Sequence, residues 1–159
     1  MTSFTPKNPD FAARVRDSFG RQGAMILIGA ELTRVVLGEA EIAVAFRLEL
    51  AQQHGYFHGG IVGMLADCAA GCAAFSLIPA DSTVLSVEYK INFIAPAEGE
   101  RLIARGRVLK PGRTLYICQV DVAVVREGRE TPCAVMLQTA MALAGRSDGP
   151  RVAPVTTAS

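Results

Sequence analysis

The sequence predicts an α+β domain in which a curved antiparallel β-sheet wraps around one long central helix. Two observations support this fold class. Residues 61–77 are apolar on nearly every side, so a helix formed by them must be covered over most of its surface. The segments after it alternate apolar and polar residues and are joined by short turns, which makes neighbouring strands antiparallel. A curved sheet around one helix is the simplest fold that satisfies both.

The composition narrows the class of protein. The chain has 159 residues, of which 50% are hydrophobic and 19% charged, and a formal net charge of +1. This length fits one domain, and so apolar a chain is not intrinsically disordered. The near-zero charge excludes the basic surface of a nucleic-acid-binding protein. A small domain with few charges has much surface to cover, so we expect it to associate with another copy of itself.

No targeting or membrane segment is expected. The N-terminus is polar and lacks the apolar core of a secretory signal, so we expect a cytoplasmic protein. Asp67 divides the apolar segment 59–80 into two runs, both shorter than the ~18 residues that a membrane-spanning helix needs. We therefore expect neither a membrane nor a nucleic acid as a partner.

The first elements are predicted from local signals. Asn8-Pro9 is typical of a cap followed by proline in the first helical turn, so residues 1–22 are expected to form a helical extension. Two strand-like runs follow, 31–37 and 41–50. The second run alternates, with these apolar residues on one face: Ile42, Val44, Phe46, Leu48 and Leu50.

After a loop and the central helix, the chain is predicted to form only strands. They cover residues 84–93, 101–109, 114–125 and 133–143. In the first of these, one face is predicted to hold Leu85, Val87, Tyr89, Ile91 and Phe93, and the other Ser86, Glu88, Lys90 and Asn92. Residues 1–145 are thus expected to be a single domain. Residues 146–159, rich in Pro, Ser, Thr and Gly, are expected to be a disordered tail.

The cysteines and histidines favour neither a metal nor a redox centre. Four cysteines occur without a C-x-x-C pair, and Cys68 and Cys72 lie four residues apart on the apolar helix, as small buried side chains would. His54 and His58 are surrounded by glycines and lack the acidic residue of a zinc motif. No dinucleotide or phosphate-binding fingerprint is present, so no cofactor and no metal are expected.

Two features of the apolar helix indicate chemistry. His58-Gly59-Gly60 lies at its start, where unshielded N–H groups and the helix dipole favour a developing oxyanion; the alternative is a tight turn into the helix. Asp67 lies inside the helix with no cation to pair with, as in a catalytic acid or base; the alternative is a carboxylate on a solvated strip. The two sites are eight residues apart, or about 12 Å along a helix, so acting on one carbonyl requires two subunits.

At this point the sequence resembles a known family. The pattern Gln52-x5-His58-Gly59-Gly60-x6-Asp67 resembles the hotdog-fold acyl-CoA thioesterases, in the phenylacetate-pathway (PaaI-like) group of the 4-hydroxybenzoyl-CoA thioesterase superfamily. Residues 86–97 and Gly112-Arg113-Thr114 resemble the strand and hairpin turn that follow the helix in that family. The similarity covers about residues 25–143.

The resemblance implies roles for four residues. Asp67 would be the nucleophile, or the general base that activates water. The Gly59 N–H of the partner subunit would polarise the thioester carbonyl. His58 would orient the helix start or hydrogen-bond near the thioester, and Gln52 would position the acyl group or the water. For Gln52 the alternative is an ordinary loop position, and for His58 a purely structural hydrogen bond.

Further residues are expected to bind the substrate: Gly60, Met64, Gly71, Leu85, Lys90, Lys110, Gly112, Arg113 and Thr114. Gly71 stands where some family members have Ser or Thr, which indicates a roomier acyl pocket and no hydroxyl-assisted step. The three cations are candidates for the CoA phosphates, with ordinary solvated surface charges as the alternative.

The resulting functional hypothesis is an acyl-CoA thioesterase that hydrolyses an aryl- or medium-chain acyl-CoA to the free acid and CoA. It would need no cofactor, since CoA is part of the substrate. A homodimer would be the minimal active unit, and the resemblance implies a dimer of dimers, that is, a homotetramer. The alternatives are a hotdog-fold hydratase or dehydratase, a non-catalytic acyl-CoA-binding protein, and an interaction protein with an inactive site.

Overall fold

The computed structural model describes residues 4–149. It confirms an antiparallel sheet of six strands packed against one long helix. The helices are α1 (Phe11–Gly20), α2 (Gly23–Ile28) and α3 (Gly59–Phe75). The strands are β1 (Glu31–Val36), β2 (Glu39–Ala45), β3 (Thr83–Phe93), β4 (Arg101–Pro111), β5 (Leu115–Arg126) and β6 (Arg129–Leu143). Their order across the sheet is β1-β2-β4-β5-β6-β3, so β3 forms one edge.

The central helix α3 lies directly on the sheet. Eleven of its 17 residues are buried, and it contacts all six strands. The helix backbone comes especially near the sheet at Gly106 of β4, where a Cβ atom would lie 2.5 Å from the carbonyl oxygen of Ala69. The Ser76 hydroxyl, just after the helix, accepts a hydrogen bond from Gly38 N–H and ties the helix end to the β1–β2 turn. Small residues thus bring the helix backbone against the strands.

One stripe of α3 is only partly covered by its own chain. Gly60, Met64, Asp67 and Gly71 recur at helical spacing; Gly60 is exposed and the other three are partly buried, whereas the residues between them are mostly buried. The side opposite the sheet is partly covered by the N-terminal segment, whose Phe19, Met25 and Ile28 join the core. The chain therefore supplies part of the cover for this side of the helix itself.

The first part of the chain departs from prediction in three places. Helix α1 begins at Phe11 with Asp10 as its N-cap residue, so Asn8 is not the cap and Pro9 lies before the first turn. Strand β2 ends at Ala45, and residues 48–50 form a short 3₁₀ helix, so the alternation does not continue to Leu50; Leu48 is 80% exposed. Phe46 N–H bonds the Glu100 carbonyl, and the chain then leaves the sheet. Helix α2 was not predicted, because Gly23 looks like a terminator. Instead, the helix ends at Gly29, which has a positive φ of 71°.

The strand β3 contains a bulge that changes which residues share a face. Its register with β6 shifts between Ser86 and Glu88. Beyond the shift, Tyr89 pairs with the buried Gln138, while before it Ser86 pairs with the buried Ala140. The prediction that Ser86 lies on the face opposite Tyr89 is therefore wrong, because the extra residue reverses the alternation.

The remaining predictions concern the cysteines and the ends of the chain. The four cysteines are free and buried, and burial was predicted for Cys68 and Cys72. The neighbouring Cys68 thiol, together with burial, raises the pKa of Cys72.

Within residues 4–149, no helix is long and apolar enough to cross a membrane. Of the predicted tail, residues 150–159 lie outside the described residues; before them, Asp148 pairs with Arg21 at 2.6 Å.

Candidate active site

The Asp67 carboxylate is held from one side only. Its Oδ1 atom accepts a hydrogen bond from Ser86 Oγ at 2.5 Å and another from Gln138 Nε2 at 2.8 Å. Gln138 Nε2 also lies 2.9 Å from Ser86 Oγ. Three polar side chains from α3, β3 and β6 thus form one cluster. Among residues 4–149, no donor reaches the second carboxylate oxygen, Oδ2.

Asp67 borders a cavity of about 420 Å³. Much of the wall is apolar, and it includes Met25, Met64, Gly71, Phe75, Val84 and Leu85. Cys68 and Cys72 line it as well. This arrangement places an anchored carboxylate beside a space that suits an apolar group of small-molecule size.

One rim of this cavity is polar, and there the N-terminal helical segment contacts the C-terminal part of the described chain. The Asp148 carboxylate accepts hydrogen bonds from Arg21 at 2.6 Å and from Thr83 at 2.9 Å. Burial acts to raise the pKa of Asp148, but hydrogen bonds from Ser18, Arg21 and Thr83 outweigh it, so its pKa lies below the ordinary value. The ion pair therefore forms part of the cavity wall, not a free cation for a phosphate.

The start of α3 forms a second, separate site. His58 is the N-cap residue, and its Nδ1 atom accepts a hydrogen bond from Gly60 N–H at 2.9 Å. Within the described part of the chain, no acceptor meets the Gly59 N–H. The Phe93 ring covers this glycine so closely that a Cβ atom there would lie 3.2 Å from the ring. Within residues 4–149 the Gly59 amide is thus left without a partner, whereas the Gly60 amide is already occupied.

Gln52 and Gly59 share a smaller cavity. It measures about 190 Å³ and is lined by Phe93 and Pro96 among others. Gln52 stabilises its own loop. Its side-chain oxygen accepts a hydrogen bond from the backbone N–H of His54, and its backbone N–H donates to the Tyr56 carbonyl. Asp67 does not line this cavity, and Gly59 does not line the larger one. Within one chain the two halves of the predicted site are therefore apart, as their spacing on the helix predicts.

The other predicted substrate-binding residues lie in several different places. Met64, Gly71 and Leu85 border the cavity of Asp67. Arg113 and Thr114 line a different cavity together with Lys7. Lys110 is exposed near the end of β4, and Lys90 is exposed and donates to Asn92 at 2.9 Å. Gly112 has a structural role, since a Cβ atom there would lie 2.4 Å from the Leu115 carbonyl oxygen.

Sequence reasoning did not identify two members of the polar cluster. Ser86 was assigned to the wrong face because of the bulge. Gln138 left a signal that was not used, since it is the one polar residue at the inward positions of β6, among Ala134, Met136 and Ala140. A buried polar side chain in an apolar row requires a polar partner, and here that partner is Asp67.

Comparison with known proteins identifies the family. The family model described as "Thioesterase superfamily" matches residues 54–133. The crystal structure of a thioesterase family protein from Silicibacter pomeroyi is 45% identical, covers 85% of this chain and 99% of its own, and superposes with a TM-score of 0.84. The 1,4-dihydroxy-2-naphthoyl-CoA hydrolase of Listeria monocytogenes is 26% identical over 100 residues, which are 63% of this chain and 81% of that protein.

A third relative is similar in fold alone. The PaaI protein from the phenylacetic acid degradation operon of E. coli is 17% identical, covers 86% of this chain and 95% of its own, and has a TM-score of 0.76. The resemblance drawn from the His58-Gly59-Gly60 and Asp67 motif is thus confirmed for the superfamily. The chain belongs to the thioesterase superfamily and is a thioester hydrolase with the hotdog fold.

Proposed function

We propose that this protein hydrolyses acyl-CoA thioesters and that Asp67 is the reacting carboxylate. The observation that supports this most directly is the geometry of Asp67: Oδ1 is held by two donors beside a cavity of about 420 Å³ with a largely apolar wall, while Oδ2 has no donor within residues 4–149. A carboxylate that is oriented but not neutralised is what attack on a carbonyl or activation of water requires.

Two routes use the same carboxylate. As a base, Asp67 removes a proton from water, the water oxygen adds to the thioester carbonyl carbon, the carbon–sulfur bond breaks, and the proton passes from Asp67 to the departing CoA thiolate. As a nucleophile, Oδ2 adds to that carbon, CoA leaves as the thiolate, and water then hydrolyses the mixed anhydride. Either route yields the free acid and CoA and needs neither a metal nor a redox cofactor. In both, the negative charge that develops on the carbonyl oxygen requires a donor.

That donor is the Gly59 N–H of a second copy. The strand β3 is a sheet edge with unpaired backbone groups, and four of its apolar side chains are about half exposed: Leu85, Val87, Tyr89 and Phe93. If the β3 strands of two copies pair in an antiparallel manner with their centres opposite each other, the Phe93 end of one strand lies beside the Ser86 end of the other. Because Gly59 lies under Phe93 and Asp67 beside Ser86, this pairing supports two composite sites in a homodimer. A dimer of dimers stays a prediction.

The cavity and the relatives support the proposed substrate class, an aryl- or medium-chain acyl-CoA. The cavity beside Asp67 suits an aryl or medium-chain acyl group, and no charged residue lines it apart from Asp67 and the paired Arg21 and Asp148. The Listeria relative is named for an aryl-CoA substrate, which agrees with an aromatic acyl group.

The proposal is tested by thiol release from a panel of acyl-CoA thioesters, with phenylacetyl-, benzoyl- and hexanoyl-CoA as the first members and the Asp67→Asn variant as the control. We expect release of free CoA that depends on Asp67. An enoyl-CoA, followed by loss of its ultraviolet absorbance, tests the hydratase alternative. Hydration without thiol release, or no turnover of any thioester, would contradict the proposal.

The composite site makes a second prediction. Gly59→Pro removes the amide hydrogen but leaves Asp67 intact, so each homodimer of Asp67→Asn or Gly59→Pro lacks one component at both sites. Mixed dimers contain one site with both components, and we expect them to regain up to about half of the wild-type activity per dimer. The measurement uses co-expressed chains with two different affinity tags, purified on both. Mixed dimers that form but stay inactive would contradict the cross-subunit site.

A further inference from the structure

Gln138 is the most deeply buried member of the Asp67 cluster. It is 1% exposed, whereas Ser86 is exposed and Asp67 is partly buried. Its Nε2 atom lies within hydrogen-bond distance of both neighbours, 2.8 Å from Asp67 Oδ1 and 2.9 Å from Ser86 Oγ. Because β6 is paired on both sides, by β3 and by β5, Gln138 lies on an interior strand of the sheet.

The hydrogen count determines the direction of each bond in this cluster. An amide NH₂ group carries two hydrogens, one for each of its two neighbours. Since Ser86 Oγ accepts one of them, its single hydroxyl hydrogen is left to donate to Asp67 Oδ1. The reversed amide would turn Gln138 Oε1 toward the carboxylate and place two acceptors against each other. The Asp67 carboxylate therefore fixes the Gln138 amide with its NH₂ group toward Oδ1. The amide in turn fixes the Ser86 hydroxyl with its hydrogen toward the same oxygen.

This arrangement leaves an unpaired group. Gln138 Oε1 is buried and has no hydrogen-bond partner within residues 4–149. An orphaned buried acceptor is destabilising, and an apolar side chain of the same shape would avoid it. The neighbouring inward positions of β6 are occupied by Met136 and Ala140, both fully buried. A glutamine here thus opposes stability, which is typical of a residue retained for a site and not for packing.

We propose that Gln138 is a positioning residue for the hydrolysis: it directs the Ser86 hydroxyl at Asp67 Oδ1, holds that oxygen in place, and so leaves Oδ2 as the atom that reacts. This inference rests on the proposed function of Asp67. Gln138 itself does not touch the thioester, since it lies behind Asp67 and does not line the cavity.

The test replaces Gln138 by Met, which has nearly the same shape but no donor. We expect kcat to fall by about tenfold or more, KM to stay within about twofold, and the urea midpoint of unfolding to stay equal or rise. Gln138→Leu repeats the measurement with a different apolar shape. The matched control is Gln119→Met on β5, where the amide bonds Asp121 at 3.2 Å and does not line the cavity of Asp67; kcat and KM should not change.

A double-mutant cycle with Ser86→Ala tests whether Gln138 affects the rate of hydrolysis through Ser86. If Gln138 acts through Ser86, Gln138→Met should lower kcat less in the Ser86→Ala background than in the wild type. An unchanged kcat in Gln138→Met and Gln138→Leu, with Asp67→Asn inactive, would overturn this inference and leave the proposed function standing. A fall in kcat that is matched by a fall in stability would indicate a structural role and also overturn it. An active Asp67→Asn variant would overturn both.

Discussion

Replacing Asp67 by Asn is expected to lower the rate of thioester hydrolysis by at least about two orders of magnitude, the loss that follows removal of a nucleophile or essential base. The variant is nearly isosteric. Its remaining Oδ1 still accepts from Ser86 and Gln138, at 2.5 and 2.8 Å in the wild type, so the polar cluster keeps both hydrogen bonds. Only the charge and the reactive oxygen are lost. The fall in rate therefore reports on chemistry at Oδ2.

The measurement is the initial rate of free thiol release, together with urea unfolding of the same preparations. The control is Asp121→Asn, an exposed carboxylate on β5 that does not line the cavity of Asp67. Its rate should stay within about twofold of the wild type. An Asp67→Asn variant that keeps its rate within a few-fold would show that Asp67 is not the reacting group. A large loss of unfolding free energy would instead trace the lower rate to a disturbed fold.

The parts of the site that lie on one helix were predictable from sequence. Asp67 stands alone as a charge in an apolar helix, and its distance from Gly59 follows from the helical rise, so residue spacing was sufficient for both. The strands could be located by the alternation of apolar and polar residues, since this pattern also depends only on residues that are close in the sequence. It failed at residues 46–50, because leaving a sheet depends on contacts such as that of Phe46 with Glu100, which no local pattern encodes.

The parts of the site that depend on pairing between distant segments were not predictable. Ser86 reaches Asp67 only because a bulge shifts β3 by one residue relative to β6, and a one-residue shift reverses the face of every side chain beyond it. The rim formed by Arg21 and Asp148 joins residues 127 positions apart. The buried Gln138 carried a readable signal, but its partner became evident only in three dimensions.

Replacing Gly106 by Ala is expected to destabilise the fold by about 3 kcal/mol or more, at the upper end for overpacking of a core. Gly106 pairs with Ala40 on one side and Val120 on the other, so its strand cannot move away within the sheet. An added Cβ would lie 2.5 Å from the Ala69 carbonyl oxygen and 2.8 Å from the Ala70 nitrogen. These are backbone atoms, so no side-chain rotation relieves the contact, and helix α3 itself must shift.

The shift should reach the active site, since Ala69 is two residues beyond Asp67. Moving the helix by even ~1 Å lengthens the hydrogen bonds that Asp67 accepts from β3 and β6, and a misplacement of that size can cost ~100-fold in rate. Urea unfolding and thiol release on Gly106→Ala measure the two effects. Gly20→Ala is the matched control, because a Cβ there meets nothing within 4 Å, and its stability should stay equal or rise. A Gly106→Ala variant within about 1 kcal/mol of the wild type would show that α3 is not held against β4 as closely as Gly106 indicates.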